Sequence, residues 1–186
     1  MMRHATRPRL FAAATAALAL ALSPAPAAAQ PTEQAVKAAF LPKFARYVRW
    51  PRSTAPGPGR PYHLCVIGRD PFGRLLDQAA AREVIDGRAV VVRRLGAPGG
   101  AAGACHVAFV QGRTPAETSR FLLVLRGQPI LTVTDGRAGP QRGMVHFTVA
   151  GGRVRFFIDD AAAGQHGLAI SSRLLALALG VRLRRS

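Results

Sequence analysis

Residues 63–82, HLCVIGRDPFGRLLDQAAAR, decide the fold class of this chain. The first six residues are a short apolar run, which is typical of a strand buried on both faces. Asp70 and Pro71 follow as an N-cap acid and a proline at the first helical position, and they predict a helix that runs to about Arg82. A buried strand that leads directly into a helix is the repeating unit of an α/β fold.

The same alternation continues along the chain. Three more apolar runs predict strands, at residues 88–95, 105–110 and 129–134. Before the last of them, Thr114 and Glu117 form a capping box with Pro115 at the first helical position, and this helix is expected to stop at Gly127. Strands that alternate with helices predict a parallel sheet.

The C-terminal third departs from this parallel pattern. Residues 144–149 and 153–158 alternate polar and apolar side chains across two glycines, which predicts an antiparallel hairpin. After the hairpin, residues 170–179 predict a core helix, and residues 181–185 predict an edge strand.

Residues 33–50 predict an amphipathic helix ahead of the first strand. Apolar side chains recur from Val36 onwards along one stripe, and Lys37 lies off that stripe. Pro42 cannot donate a hydrogen bond to the preceding turn and is expected to kink the helix. Together these elements predict a single-domain α/β sandwich over residues 30–186. It has a mostly parallel sheet flanked by helices, with a C-terminal antiparallel hairpin.

Residues 1–29 predict an export signal rather than a part of the fold. Residues 1–9 are basic, residues 10–22 are an unbroken apolar run, and residues 27–29 are all alanine. This is the pattern of a cleaved secretory signal peptide, and the apolar run is shorter than the roughly 20 residues of a membrane span. We therefore expect residues 30–186 to form the mature, exported domain.

The chain is strongly basic, with 26 Lys and Arg against 9 Asp and Glu, which gives a formal net charge of +17. The basic residues are spread along the chain, whereas nucleic-acid-binding proteins concentrate them on one face and interleave stacking aromatics. Aromatic residues make up only 6% of this chain. The composition therefore argues against a nucleic-acid partner and indicates a basic surface that adheres to anionic components of the cell envelope.

Cys65 and Cys105 are the first candidates for a functional site. In an exported protein two cysteines predict one disulfide, provided that the strands carrying them lie close together in the sheet. Two buried free thiols are the alternative. A third hypothesis adds His63 and His106 to form a tetrahedral zinc site. Its geometry is poor because neighbouring residues of a strand, such as Cys105 and His106, point to opposite faces.

Other candidate residues have simpler explanations. Asp159 and Asp160 could act as a general acid and base, but adjacent acids after a strand more often cap a turn or a helix. Ser171 is expected to cap a helix, and His146 is expected to be exposed on a hairpin strand. The chain carries no known hydrolase motif. We therefore predict no catalytic, cofactor-binding or metal-binding residue.

Four segments, taken in order, resemble the YfiR family of periplasmic proteins (the DUF4154 group). They are KAAFLPKFARYVRWP at 37–51, LCVIGRDPFG at 64–73, ILTVTD at 130–135, and VRFFID at 154–159 with GLAISSRLLALA at 167–178. The chain departs from the family pattern at Pro42, and at Phe157 and Asp159, where Glu and Asn are expected. By motif position Cys65 and Cys105 match one family disulfide, while a second pair found in some members has no counterpart here.

The resemblance implies a periplasmic regulator that is not an enzyme. The best-known family members bind the periplasmic sensor domain of an inner-membrane diguanylate cyclase and hold the cyclase inactive. This controls cyclic-di-GMP and biofilm formation, and an outer-membrane lipoprotein relieves the repression. The resemblance also implies a homodimer, but it identifies no partner-binding face in this chain.

The alternative function is a periplasmic small-molecule-binding protein that serves a different membrane sensor or a transporter. In an α/β sheet its pocket is expected at the carboxyl ends of the strands, near Gly68 and Asp70 and near Thr134 and Asp135. The turn after Gly68 could also hold an anion. An enzyme is the least supported class because the sequence shows no catalytic set.

Overall fold

An eight-stranded sheet organises the part of the chain that the computed structural model describes, residues 31–184. The strands in chain order are β1 (Val48–Arg49), β2 (Tyr62–Gly68), β3 (Val84–Ile85), β4 (Arg88–Leu95), β5 (Val107–Gln111), β6 (Leu131–Thr134), β7 (Val145–Ala150), β8 (Arg153–Asp159), β9 (Ala169–Ile170) and β10 (Gly180–Arg182). The helices are α1 (Glu33–Phe44), α2 (Arg74–Ala81), α3 (Pro115–Val124), α4 (Asp160–Gln165) and α5 (Ser172–Leu175). The predicted signal peptide, residues 1–29, lies outside the described residues.

The sheet is mainly parallel, as the sequence predicts. Its order is β10-β8-β7-β6-β5-β2-β4-β3, and only the β7–β8 and β3–β4 pairs are antiparallel. The predicted C-terminal hairpin is the β7–β8 pair. β1 and β9 form a separate two-stranded antiparallel sheet. The α/β fold class is therefore confirmed.

The main core lies between the sheet and α1 with α2. Phe44 of α1 packs on Phe147 and Phe156 of the hairpin, at ring-centroid distances of 5.7 and 5.5 Å. Aromatic contacts of this kind join α1 to strands about a hundred residues away along the chain. The first helix is therefore fixed to the sheet by the C-terminal hairpin.

The helix predicted over residues 33–50 is wrong in its extent. α1 runs through Pro42 and ends at Phe44, and the chain then passes through a 3-10 turn, Ala45–Tyr47, into β1. Val48 pairs with Ile170 of β9. A strand partner far along the chain therefore overrides the local helical pattern.

α2 also begins later than predicted, because Asp70 is not its N-cap. The N-cap is Gly73, which has a φ of 50°, and the helix starts at Arg74. The Asp70 carboxylate instead accepts hydrogen bonds from the backbone N–H groups of Phe72 and Gly73, at 2.8 and 3.1 Å. An Asx turn therefore takes the place of the predicted first helical turn.

The other face of the sheet carries α3 and a second, smaller core. Thr114 caps α3 by accepting a hydrogen bond from the Glu117 N–H at 3.1 Å, as predicted. The Glu117 carboxylate accepts the N–H of Arg113 rather than that of Thr114, so the capping box is only half formed. The buried residues of this core are Cys65, Ile67, Ala102, Cys105, Ala108, Val110, Leu125 and Ile130.

The helix predicted over residues 170–179 is present but much shorter than predicted. Ile170 belongs to β9, Ser171 is the N-cap, and α5 is only four residues long. The predicted edge strand is present as β10, which pairs in parallel with β8. The predicted capping role of Ser171 is confirmed by the hydrogen bond that its Oγ accepts from the Arg173 N–H at 3.3 Å.

Candidate functional site

The structure joins Cys65 and Cys105 in a disulfide. Cys65 lies in β2, and Cys105 lies two residues before the start of β5, which is the parallel neighbour of β2. This places their Cα atoms 5.8 Å apart, a normal separation for a disulfide. Both residues are buried in the core beneath α3. The structure therefore contains the bridge rather than the two free thiols of the alternative.

The zinc hypothesis fails because both of its sulfur ligands are in the disulfide. His63 and His106 do lie together, with stacked rings whose centroids are 6.0 Å apart. They are joined by a hydrogen bond from the His63 backbone N–H to Nδ1 of His106 at 3.0 Å. Within residues 31–184, no group of three or more His, Cys, Asp or Glu side chains could hold a metal ion.

His106 is surrounded by aromatic side chains and lies beside the disulfide. The ring centroids of Trp50 and Tyr62 lie 5.7 and 5.4 Å from that of His106. Burial, with a smaller contribution from His63, lowers the pKa of His106 to about 4. The ring is therefore neutral at neutral pH, which Nδ1 needs in order to accept the His63 N–H.

The carboxyl end of β6, where the sequence allowed a ligand pocket, is filled by the protein itself. Lys37, predicted off the apolar stripe of α1, is only 3% exposed and reaches Asp135 at 2.9 Å. Glu33 pairs with the same ammonium group at 2.5 Å. Thr134 is fully buried. The position of Lys37 off the apolar stripe therefore does not leave it in solvent, and the pocket expected at Thr134 and Asp135 is taken up by internal contacts.

The turn after Gly68 is also satisfied internally. A Cβ on Gly68 would come within about 2.2 Å of the carbonyl oxygen of Gln111, so β2 and β5 approach too closely there to leave a pocket. Besides its two backbone contacts, Asp70 accepts a hydrogen bond from Nε of Arg94 at 2.7 Å. Burial acts to raise the pKa of Asp70, but the Arg94 hydrogen bond and the two backbone N–H groups lower it overall. The candidate anion site is therefore occupied by the Asp70 carboxylate.

Asp159 caps a helix, as predicted, whereas Asp160 is held by an ion pair. Asp159 accepts the N–H of Ala162 at 2.9 Å and caps α4, and it also pairs with Arg182. Asp160 forms two hydrogen bonds with the guanidinium group of Arg184, at 2.9 and 3.0 Å. Because each carboxylate is held by its own arginine, the two do not share a site as an acid–base pair.

His146 was predicted to be exposed, and this is wrong. It is 6% exposed, and its Nδ1 lies 2.9 Å from Oγ1 of Thr134. β7 lies between β6 and β8, so a polar side chain on this strand can reach a neighbouring strand. The alternation of His146 with apolar neighbours did not reveal that partner.

Acidic side chains are almost all engaged within the molecule. In residues 31–184, which contain every Asp and Glu of the chain, eight of the nine carboxylates form an ion pair, and Asp86 is the exception. Of the twenty arginines in this part of the chain, only Arg46, Arg94, Arg113, Arg182 and Arg184 form ion pairs. The surface therefore presents many arginines and few free acids.

These features define an α/β domain in which one buried disulfide ties two neighbouring parallel strands beneath a basic surface. The sequence model of the YfiR/HmsC-like family matches residues 34–179, which cover almost the whole described domain. The chain therefore belongs to the YfiR/HmsC-like family, as its four motifs predict. No curated protein matches the chain at a significant level.

None of the helices described in residues 31–184 is long and apolar enough to cross a membrane.

Proposed function

We propose that this chain is a periplasmic, non-enzymatic regulator that binds the periplasmic sensor domain of an inner-membrane diguanylate cyclase and represses the cyclase. The observation that carries the proposal is the family match over residues 34–179. Membership of this family suggests control of cyclic-di-GMP signalling and, through it, of biofilm formation. The regulator acts by binding, so its working parts are surfaces rather than a reaction centre.

Two independent features support the proposed compartment. Residues 1–29 have the basic, apolar and small-residue regions of a cleaved signal peptide. The Cys65–Cys105 disulfide is of a kind that persists in oxidising compartments such as the periplasm. Both support export of residues 30–186 into the periplasm, where a sensor domain is accessible.

The charge of the domain supports a partner with an acidic face. Because most carboxylates are held in internal ion pairs, the outer arginines carry an excess of positive potential. Complementary potentials raise association rates and suppress wrong partners more than they raise affinity. A homodimer and an outer-membrane lipoprotein that relieves repression are further parts of the proposal, and they rest on the family alone.

Photo-crosslinking in intact cells tests this proposal and locates the binding face. A crosslinking residue is placed at Val84 on one edge of the sheet, at Leu179 near the other edge, or at Leu123 on α3, all of which are exposed. We expect at least one position to capture a diguanylate cyclase, identified by mass spectrometry, and another to capture none. Capture of no inner-membrane protein from any position would contradict the proposal, and capture of a transporter or another sensor would favour the alternative function.

A further inference from the structure

Two adjoining cavities lie beside the β7–β8 hairpin, with volumes of about 600 and 450 Å³. They share four lining residues: Arg142, Gly143, Asp159 and Arg182. The first cavity is completed by the C-terminal part of α3 and by α4, and the second by the hairpin and β10. We call the two together the hairpin groove. No ligand was predicted for this groove from the sequence.

The lining of the hairpin groove is basic. Arg126, Arg142 and Arg182 all contribute to it, and Asp159 is its only acidic residue. Asp159 is already paired with Arg182 at 2.7 Å and caps α4. Arg126 and Arg142 form no ion pair with any residue in the described part of the chain. Two guanidinium charges in the groove are therefore uncompensated.

A buried histidine adds a neutral hydrogen-bond donor. Oγ1 of Thr134 accepts the Gly143 N–H at 2.9 Å, so its own proton is free to be donated to Nδ1 of His146 at 2.9 Å. This places the proton of the neutral imidazole on Nε2. Nε2 has no hydrogen-bond partner within residues 31–184, although His146 is 94% buried, and the side chain lines the groove. Burial first, and then Arg142, lower the pKa of His146, which keeps the ring neutral.

Phe157 gives the groove an apolar floor next to this donor. Phe157 is directly opposite His146 in the antiparallel register, so the two side chains share one face of the sheet. The guanidinium carbon of Arg142 lies 5.8 Å from the centroid of the Phe157 ring. Gly180 of β10 lies beside the Phe157 ring, and a Cβ at this position would come within 3.1 Å of the ring. Because glycine has no Cβ, the edge of the ring stays accessible. The groove combines an apolar floor with a cationic rim.

We propose that the hairpin groove binds a small organic anion with two or more acid groups, either carboxylates or phosphates. Because two guanidinium groups are uncompensated, the ligand should carry two or more negative charges. Arg142 borders both cavities and Arg126 only the first, so acid groups can be held at two places, while the His146 Nε2–H donates to one of them. The carbon skeleton of the ligand rests on Phe157. This proposal is independent of the proposed regulatory function.

Calorimetric titration of the purified protein at fixed ionic strength tests the proposal. Citrate serves as the carboxylate probe, pyrophosphate as the phosphate probe and acetate as the monovalent control. We expect saturable one-to-one binding of citrate or of pyrophosphate, at least about tenfold tighter than acetate, since a second charge-assisted contact contributes at least about 1.4 kcal/mol. The tighter of the two probes identifies the type of acid group.

Matched charge variants separate this site from the general basicity of the chain. Arg142→Gln and Arg126→Gln each remove one exposed charge from the groove, and each should weaken binding at least about fivefold. Arg74→Gln removes an exposed charge from α2, on the other side of the sheet, and should leave binding unchanged. Circular dichroism of each variant checks that the fold is retained.

Three results would overturn the proposal. The first is the absence of saturable binding for both citrate and pyrophosphate. The second is acetate binding as tightly as either probe. The third is equal weakening by Arg74→Gln and Arg142→Gln, which would show that the probes respond to net charge rather than to the groove.

Discussion

Lys37 shows how a single buried charge positions an element. Its ammonium group is held between Asp135 at the end of β6 and Glu33 one helical turn earlier in α1. A buried ammonium group is tolerated only when it is paired, and removal of Asp135 would leave only the partly exposed Glu33 to compensate it. The pair therefore fixes the register of α1 on the sheet.

We predict that Asp135→Asn lowers the free energy of unfolding by about 3 kcal/mol, because Lys37 then loses its buried counter-charge. The double variant Lys37→Met/Asp135→Leu should recover most of this loss, since a well-packed apolar pair can replace a buried ion pair. Urea unfolding measures both. Asp77→Asn is the control and should cost no more than about 0.5 kcal/mol, because Asp77 is half exposed. An equally small effect of Asp135→Asn would contradict the account.

His106 makes stability depend on pH. Its folded-state pKa of about 4 is below the unfolded value of about 6.5, so the unfolded chain binds the proton more readily. The stabilising contribution is therefore complete above about pH 6.5 and is lost as the pH falls towards 4. Between about pH 7.5 and about pH 5 the loss should be about 2 kcal/mol.

Urea unfolding of the protein and of His106→Asn over this pH range tests the assignment. The asparagine side-chain oxygen can accept the His63 N–H in place of Nδ1 but does not titrate. We expect a clearly shallower decline for the variant, with the remaining slope due to His63 and His146, whose pKa values are also lowered by burial. Identical slopes would show that His106 is not the titrating group.

At the scale of the elements, Gly68 marks the point where β2 and β5 come closest. Its φ is 88°, and a Cβ there would meet the backbone of Gln111. We predict that Gly68→Ala destabilises the fold by about 3 kcal/mol, from backbone strain and steric overlap together. Gly127→Ala is the control, since Gly127 also has a positive φ, 76°, but has open space around it, and its cost should be about 1 kcal/mol. Thermal unfolding that ranks the two variants equally would contradict this account.

The disulfide ties β2 to the start of β5 across 40 residues of sequence. On the chain-entropy model, such a bridge stabilises the fold by about 4 kcal/mol by restricting the unfolded chain. We predict a lower melting temperature after reduction, and a similar decrease for Cys65→Ala/Cys105→Ala. Calorimetry of protein shown by mass spectrometry to be oxidised at the start gives the comparison. An unchanged melting curve would mean that the bridge does not contribute to stability.

The sequence predicted the elements whose signal is local. β2, β4 and the β7–β8 hairpin were found because apolar runs, alternation and a two-glycine turn lie within each segment. The start of the C-terminal helix was predicted wrongly because Ile170 pairs with Val48, a contact between segments far apart in the chain. Local helical propensity carries no information about such a partner.

The features of the candidate site likewise fall into those that the sequence could predict and those that depend on distant partners. The disulfide could be predicted because the chain has only two cysteines and its first 29 residues predict an export signal. The burial of Lys37 and of His146 could not, because their partners, Asp135 and Thr134, are brought to them by the sheet. The hairpin groove was missed for the same reason, since its lining residues come from five separate parts of the chain.

At the scale of the whole molecule, acidic and basic side chains have different roles. Its acids are used inside the molecule, in ion pairs that fix helices and strand ends, while most arginines remain outside. Such a surface favours partners of opposite charge, and its interactions weaken as salt screens them. This agrees with a regulator that recognises an acidic face of a membrane sensor.

The most direct test of the central claim is the cellular level of cyclic-di-GMP, measured with the gene deleted and with it restored. If the chain represses a diguanylate cyclase, cyclic-di-GMP should rise on deletion and return to its original level on complementation. A copy without residues 1–29 should fail to restore it, because that protein would stay on the wrong side of the inner membrane. An unchanged level of cyclic-di-GMP on deletion would contradict the account.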